Sequence, residues 1–219
     1  MMFKFMKFLL IFLICTINLI ADESIFQDYK YNMSKQELVK RNGIFDCSKE
    51  FGDNSLCKEE EFIGIKAAYL FKLMDNKLKE VTVIVDYADD NHIKLFQAIN
   101  KNFVLVALKN KKSMLDVINS YKSDYEHTAA KVSEFESIGL SNGELTYIFF
   151  DKSSINENTK KSKNLYEAMT NASINLREVD YRITSNKKNS FIFLSFTLPK
   201  LVQKDISKIL NETKNIKDF

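Results

Sequence analysis

Ile63-Gly64-Ile65-Lys66-Ala67-Ala68-Tyr69-Leu70-Phe71-Lys72-Leu73-Met74-Asp75-Asn76-Lys77-Leu78-Lys79-Glu80-Val81-Thr82-Val83-Ile84-Val85-Asp86-Tyr87 is the stretch that decides the fold class. Ile63, Ile65, Ala67, Tyr69, Phe71 and Leu73 fall on one side of a period-2 run, with Lys66 and Lys72 on the other. Strand side chains alternate between faces, so this pattern is a half-buried strand. Asp75-Asn76 supplies a turn, and Val81, Val83, Val85 and Tyr87 carry the alternation back. The first half of the chain is thus built on a hairpin.

Working outward, Ser34-Lys35-Gln36-Glu37 is a capping box that opens a short helix, and Asn42-Gly43 ends it. After the hairpin, His92, Phe96 and Ile99 share a helical face, and Phe103 to Leu108 reads as a strand. Met114, Ile118, Tyr121 and Tyr125 then have the spacing of an amphipathic helix. Val132 to Ile138 reads as a weaker strand, Asn142-Gly143 as a hairpin turn and Leu145 to Phe150 as the strand after it. A helix over Lys161 to Thr170 leads to a strand over Ile174 to Thr184, with a bulge at Arg177-Glu178. Phe191 to Phe196 is apolar on both faces, which suits a central strand or a partner-binding stripe. Pro199 starts a last helix on which Val202, Ile206 and Ile209 align.

The two halves resemble each other. Ala67-Ala68 through Val83-Ile84-Val85-Asp86 parallels Ala129-Ala130 through Ile148-Phe149-Phe150-Asp151, and Leu95 to Asn100 parallels Leu165 to Thr170. The expectation is an α+β fold of two tandem units of helices packed on antiparallel β-sheet, over residues 22–110 and 111–219.

Composition narrows the functions. The 219 residues are 45% apolar and 28% charged, with 18 Phe and 9 Tyr, which suits a packed core and excludes disordered or collagen-like classes. Two His exclude a three-His metal cage, and the 5 Gly form no phosphate-cradling signature. Residues 1–21 read as a cleaved signal peptide: Lys4 and Lys7 precede an apolar run from Phe8 to Ile20, and Ala21 precedes Asp22-Glu23. Phe12-Leu13-Ile14 ahead of Cys15 is not a lipobox, although a retained N-terminal anchor stays open. Without Lys4 and Lys7, the net charge of +3 falls to about +1, which is no footprint for nucleic acid. The expected location is the bacterial periplasm, with no membrane span after cleavage.

Cys47 and Cys57 are then an even pair in an exported chain, and a disulfide is the expected state. Asp86, Asp89, Asp90 and His92 cluster where a strand meets a helix. Capping by Asp89 or Asp90 is the plain reading, and a metal site on Asp89, Asp90 and His92 the sharper one. Asp124, Glu126 and His127 offer an acid–His pair with no nucleophile set beside it. Lys109 to Lys112 and Lys160, Lys161 and Lys163 are short basic loop runs, suited to solvation, anionic lipid headgroups or an acidic partner. No catalytic residue and no cofactor is assigned.

Asn32-Met33-Ser34-Lys35-Gln36-Glu37-Leu38, Gly43, Cys47, Phe51-Gly52-Asp53-Asn54-Ser55 and Cys57 form an unusual string. Tyr31 to Tyr87 resembles the first repeat of the β-lactamase-inhibitor protein family, and also the BamE/SmpA-type lipoproteins of outer-membrane assembly. Asn32 stands where the inhibitor family has Gly, and the second half carries no Cys. The resemblance implies helices on an antiparallel sheet and a partner-binding loop at Phe51, Asp53 and Asn54. The leading expectation is a non-enzymatic protein that contacts another envelope protein, in assembly or as an inhibitor-like binder. A small-ligand or lipid-binding module is the alternative, and a hydrolase the third.

Overall fold

A computed structural model of the chain describes residues 23–118, 125–185 and 189–217; residues 1–21, read above as a signal peptide, lie outside them. Among the described residues a small ribbon, β1 (Ser24–Phe26) and β2 (Tyr29–Lys30), precedes a nine-stranded sheet. Its strands are β3 (Phe45–Asp46), β4 (Ser55–Phe62), β5 (Ile65–Met74), β6 (Lys77–Asp86), β7 (Phe103–Lys109), β8 (Met114–Asp116), β9 (Glu144–Asp151), β10 (Glu178–Ser185) and β11 (Ser190–Thr197). They lie in the order β3-β4-β5-β6-β11-β10-β9-β7-β8, every neighbouring pair antiparallel. The fold is α+β with a large antiparallel sheet.

The expected hairpin is β5–β6. Asp75 and Asn76 both have φ near +55°, at 51° and 58°, the backbone a tight two-residue turn demands. The apolar alternation becomes one face of the whole sheet. Tyr69 faces Val83, then Leu194, Tyr181, Tyr147 and Leu108 across successive strands. The next row runs Phe71, Val81, Phe196, Val179 and Phe149. All eleven side chains belong to one buried core.

Helices close that face. From β6 the chain enters α3 (Asp89–Asn102) and reaches β7, four strand positions away. Four spacings of about 4.8 Å need about 19 Å, and fourteen helical residues span about 21 Å. Leu95 and Ile99 are buried beneath it, and the Phe96 ring meets Tyr147, Phe149 and Tyr181 edge-on at 5.1–5.6 Å. A second helix, α4 (Tyr125–Ser141), adds Val132 and Phe135 to the same core. The chain leaves this helix through Gly143, whose φ is 77° and where an added Cβ would sit 2.7 Å from the Ser185 carbonyl oxygen. Only glycine fits there.

The opposite face is covered at its two ends. At one, α2 (Ser48–Phe51) leads into β4, with Cys47, Cys57 and Leu70 in a small cluster, while the preceding α1 (Lys35–Val39) sets Leu38 into the main core. At the other, α5 (Glu157–Lys161) and α6 (Leu165–Asn171) shelter Val106, Phe150, Ala168 and Leu176. The last helix, α7 (Pro199–Lys217), is tied down near its start, because Lys200 Nζ donates to the Thr170 and Ala172 carbonyls at the end of α6. Tyr31 donates to Asp205 at 2.8 Å, and Lys79 pairs with the same carboxylate.

Several expectations need correction. Met114 to Asp116 is an edge strand, so Met114 does not belong to a helical stripe; Tyr121 lies outside the described residues. Val132 to Ile138 is helical, with Val132 and Phe135 three residues apart on the core side. Asn142-Gly143 joins a helix to a strand instead of two strands. Residues 174–177 precede β10, which pairs without a bulge at Glu178 on both sides. Of the parallel segments, Ala67-Ala68 lies in β5 and Ala129-Ala130 in α4, whereas Val83 to Asp86 and Ile148 to Asp151 are both strand and Leu95 to Asn100 and Leu165 to Thr170 both helix. The two halves share one sheet, with β7 of the first placed beyond β9 of the second.

Candidate functional site

The stapled end of the sheet is built by local capping. Ser34 accepts from the Glu37 amide at 3.2 Å and its own amide donates to Glu37 Oε2 at 2.8 Å, the full capping box. The chain then turns through β3, which pairs with β4 only at Phe45–Cys57 and Asp46–Leu56. Cys47 and Cys57 are joined by a disulfide. Closing ten residues should contribute ~2.5 kcal/mol in the chain-entropy model. Reduction should therefore lower the urea midpoint by a corresponding amount, read as a shift between oxidised and reduced unfolding curves. Both sulfur-bearing residues are buried, while Phe45 and Phe51 on either side of Cys47 are 51% and 48% exposed. Asp53 and Asn54 follow Phe51 at the solvent-exposed tip, and Asn54 takes a left-handed turn with φ of 62°.

The acid–His cluster is a structural feature. His92 Nδ1 lies 2.7 Å from the Tyr181 hydroxyl, with its ring against Tyr87, Phe96 and Tyr181. Burial holds its pKa below the ordinary value. A ring committed to aromatic packing and a tyrosine hydroxyl is not positioned as a ligand with Asp89 and Asp90. Among the described residues no group of three His, Cys, Asp or Glu is placed to hold a metal ion. Neither Asp is the N-cap, because Ala88 takes that position. The Tyr87 amide donates to the Ser190 carbonyl, so strand pairing runs up to Tyr87, and the helix begins at Asp89, one residue earlier than a cap at Asp89 would require. Asp89 and Asp90 instead sit in the first turn, where acids favour the positive helix end. Asp124 and the side chains of Glu126 and His127 lie outside the described residues.

A second polar feature was not anticipated. On the less covered face, Glu178, Asp180 and Arg182 project from alternate positions of β10. Register places Asp180 beside Ser195 and then Thr82, and Glu178 beside Thr197 and then Glu80. Thr82 and Ser195 hydroxyls are 2.8 Å apart, Thr82 donates to Glu80 at 2.9 Å, and Lys72 pairs with Glu80 at 3.1 Å. Asp180 Oδ1 is buried without a hydrogen-bond partner. Burial first, then the Asp180 charge, pushes Glu178 up to about 8. Burial and the Glu80 charge push Asp180 to about 6, against the pull of Lys109 and Arg182. The sequence shows three charged residues at period 2 inside a strand, but not that the face they share is partly sheltered.

Beyond this row, a cavity of about 500 Å³ opens between β7–β9 and the α5–α6 pair. Val104, Val106, Ile118, Phe150, Ile155 and Ala168 form its apolar walls. Its charged lining groups are Lys152 and Lys160. The basic run at Lys160 and Lys161 is the last turn of α5, where cations suit the helix end. No family model, curated protein or solved structure matches the chain. Residue geometry alone supports the functional reading. Among the described residues, no helix is long and apolar enough to cross a membrane.

Proposed function

We propose that the chain is an exported, non-enzymatic protein that works by contact with another protein of the cell envelope, through the disulfide-braced end of its sheet. The single observation that carries this reading is the presentation of Phe45 and Phe51, each about half exposed, on a segment pinned by Cys47–Cys57. Aromatic side chains supply much of the energy of protein interfaces, and a braced loop loses little freedom on docking. Asp53 and Asn54 add polar groups at the rim of the same surface. Export is supported by residues 1–21 and by a disulfide, which persists in oxidising compartments. The likeness of Tyr31 to Tyr87 to the inhibitor and BamE-type families points the same way.

The double substitution Phe45→Ala, Phe51→Ala should leave thermal stability within about 2 °C, because both rings are solvated. Complexes recovered with the wild-type chain from its host's envelope should lose their specific partner with this variant. An unchanged set of partners removes the stapled end from the interface.

A second reading, a module that holds a small ligand between sheet and helices, is supported by the cavity beneath α5 and α6. Concave apolar sites of this volume are the usual form of small-molecule sites.

A further inference from the structure

The cavity's lining carries a chemical bias. Its walls come from Val104 and Val106 of β7, Phe150 of β9 and Ala168 of α6, all apolar, and it has the volume of an ordinary small-ligand site. Among the described residues, the polar side chains that line it are Lys152, Thr159 and Lys160, with no carboxylate among them. A neutral apolar ligand needs no cations, and a cationic ligand would be repelled by two of them.

The two lysines are held differently. Lys152 Nζ donates to the Asn100 and Lys101 carbonyls at 2.7 and 3.1 Å, at the end of α3, which fixes the ammonium in place. An ammonium has three protons, so these two bonds leave it a further donor. Lys160 Nζ pairs with Glu157 at 2.7 Å across one helical turn, on the exposed side of α5. Exposed pairs of this kind contribute only about 0.5 kcal/mol, so the tie to Glu157 is a weak one. Thr159 is turned inward to Asn156, whose side chain accepts from the Thr159 amide and hydroxyl at 2.9 and 3.1 Å, so it adds apolar surface instead of a second anchor.

We propose that this cavity takes a single-chain anionic amphiphile, its hydrocarbon tail against Val104, Val106, Ile118 and Phe150 and its carboxylate at Lys152 and Lys160. The proposal rests on the second reading above and specifies the ligand class for that site. The wall residues bury the tail by the hydrophobic effect, and the lysines set its direction by charge. Binding is non-covalent, and no bond of the ligand is made or broken.

The test is calorimetric titration of the full chain with tetradecanoate, tetradecanol and octanoate, all below their aggregation limits, repeated with Lys160→Gln. Lys160 is solvent-exposed at the end of a short helix, so this substitution leaves the fold intact, which far-ultraviolet circular dichroism checks. Tetradecanoate should bind about tenfold more tightly than tetradecanol, and Lys160→Gln should remove most of that preference while leaving the alcohol unaffected. Octanoate should bind far more weakly than tetradecanoate. Equal binding of acid and alcohol, untouched by Lys160→Gln, overturns the anionic head and leaves the ligand-holding reading standing. Octanoate binding as tightly as tetradecanoate overturns the tail assignment. Failure of all three probes to bind overturns both the proposal and that reading.

Discussion

Phe149→Ala is expected to cost about 3–5 kcal/mol, the loss typical of a large aromatic removed from a core that cannot collapse around the gap. Phe149 is fully buried in the row Phe71–Val81–Phe196–Val179–Phe149 and takes the edge of the Phe96 ring at 5.6 Å. It thus joins the middle of the sheet to the crossover helix α3. Deleting it loosens both at once. For a chain of this length the loss corresponds to a fall of about 10 °C in the thermal midpoint, measurable by calorimetry. Tyr166→Ala, at a residue 81% exposed on α6, is the control and should shift stability by less than about 0.5 kcal/mol.

The second large effect concerns pH. Glu178 and Asp180 are raised to about 8 and about 6 in the folded chain, whereas in the unfolded chain both titrate in the ordinary carboxylate range. Between about pH 4.5 and 8 the folded state therefore holds protons that the unfolded state has released. This pair makes stability fall as pH rises through that window, in contrast to the common acid-denaturation pattern, while the lowered pKa of His92 works in the opposite sense. The pair should contribute a loss of about 3 kcal/mol from pH 5 to pH 8, read from urea unfolding at each pH. Glu178→Gln keeps the shape and removes the charge. It should stabilise the chain at pH 8 by about 2 kcal/mol and change little at pH 4.5. A variant that destabilises equally at both values would mean that the Glu178 carboxyl makes a needed contact in its neutral form.

Sequence periodicity read best where one face of an element is buried and the other is wet. Ile65 to Met74 and Lys77 to Asp86 have that pattern and pair as expected, and the two-sided apolar run Phe191 to Phe196 lies in β11, fifth of nine strands. Pro199 and the Ser34–Glu37 box marked their helices because caps act locally. β4 escaped notice because Glu59-Glu60-Glu61 interrupts its alternation. Beyond the two residues paired with β3, this strand is a sheet edge, and consecutive charges keep such an edge from pairing with other chains. Met114 to Asp116 was misread because three edge residues carry too short a pattern to outweigh a helical spacing with Ile118. The strand order, with β11, β10 and β9 inserted between β6 and β7, is a non-local choice that no window of sequence contains.

The candidate sites divide in the same way. The disulfide followed from an even cysteine pair in a chain expected to be exported, and the candidate loop at Phe51 from the family resemblance, and both belong to one short segment. The Glu178–Asp180 row needed the knowledge that β10 lies inside a sheet whose far face is partly sheltered. The cavity needed more, because Val106, Phe150 and Ala168 come from three elements brought together only by the fold.

Contact through the stapled end is tested most directly by placing a photo-crosslinking amino acid at position 51, with position 166 on the distant α6 surface as the control, in cells of the natural host. A discrete adduct with one envelope protein from position 51, absent from position 166 and reduced by Phe45→Ala, is the expected result. No adduct from position 51, or the same adducts from both positions, would contradict a partner-binding role for this surface.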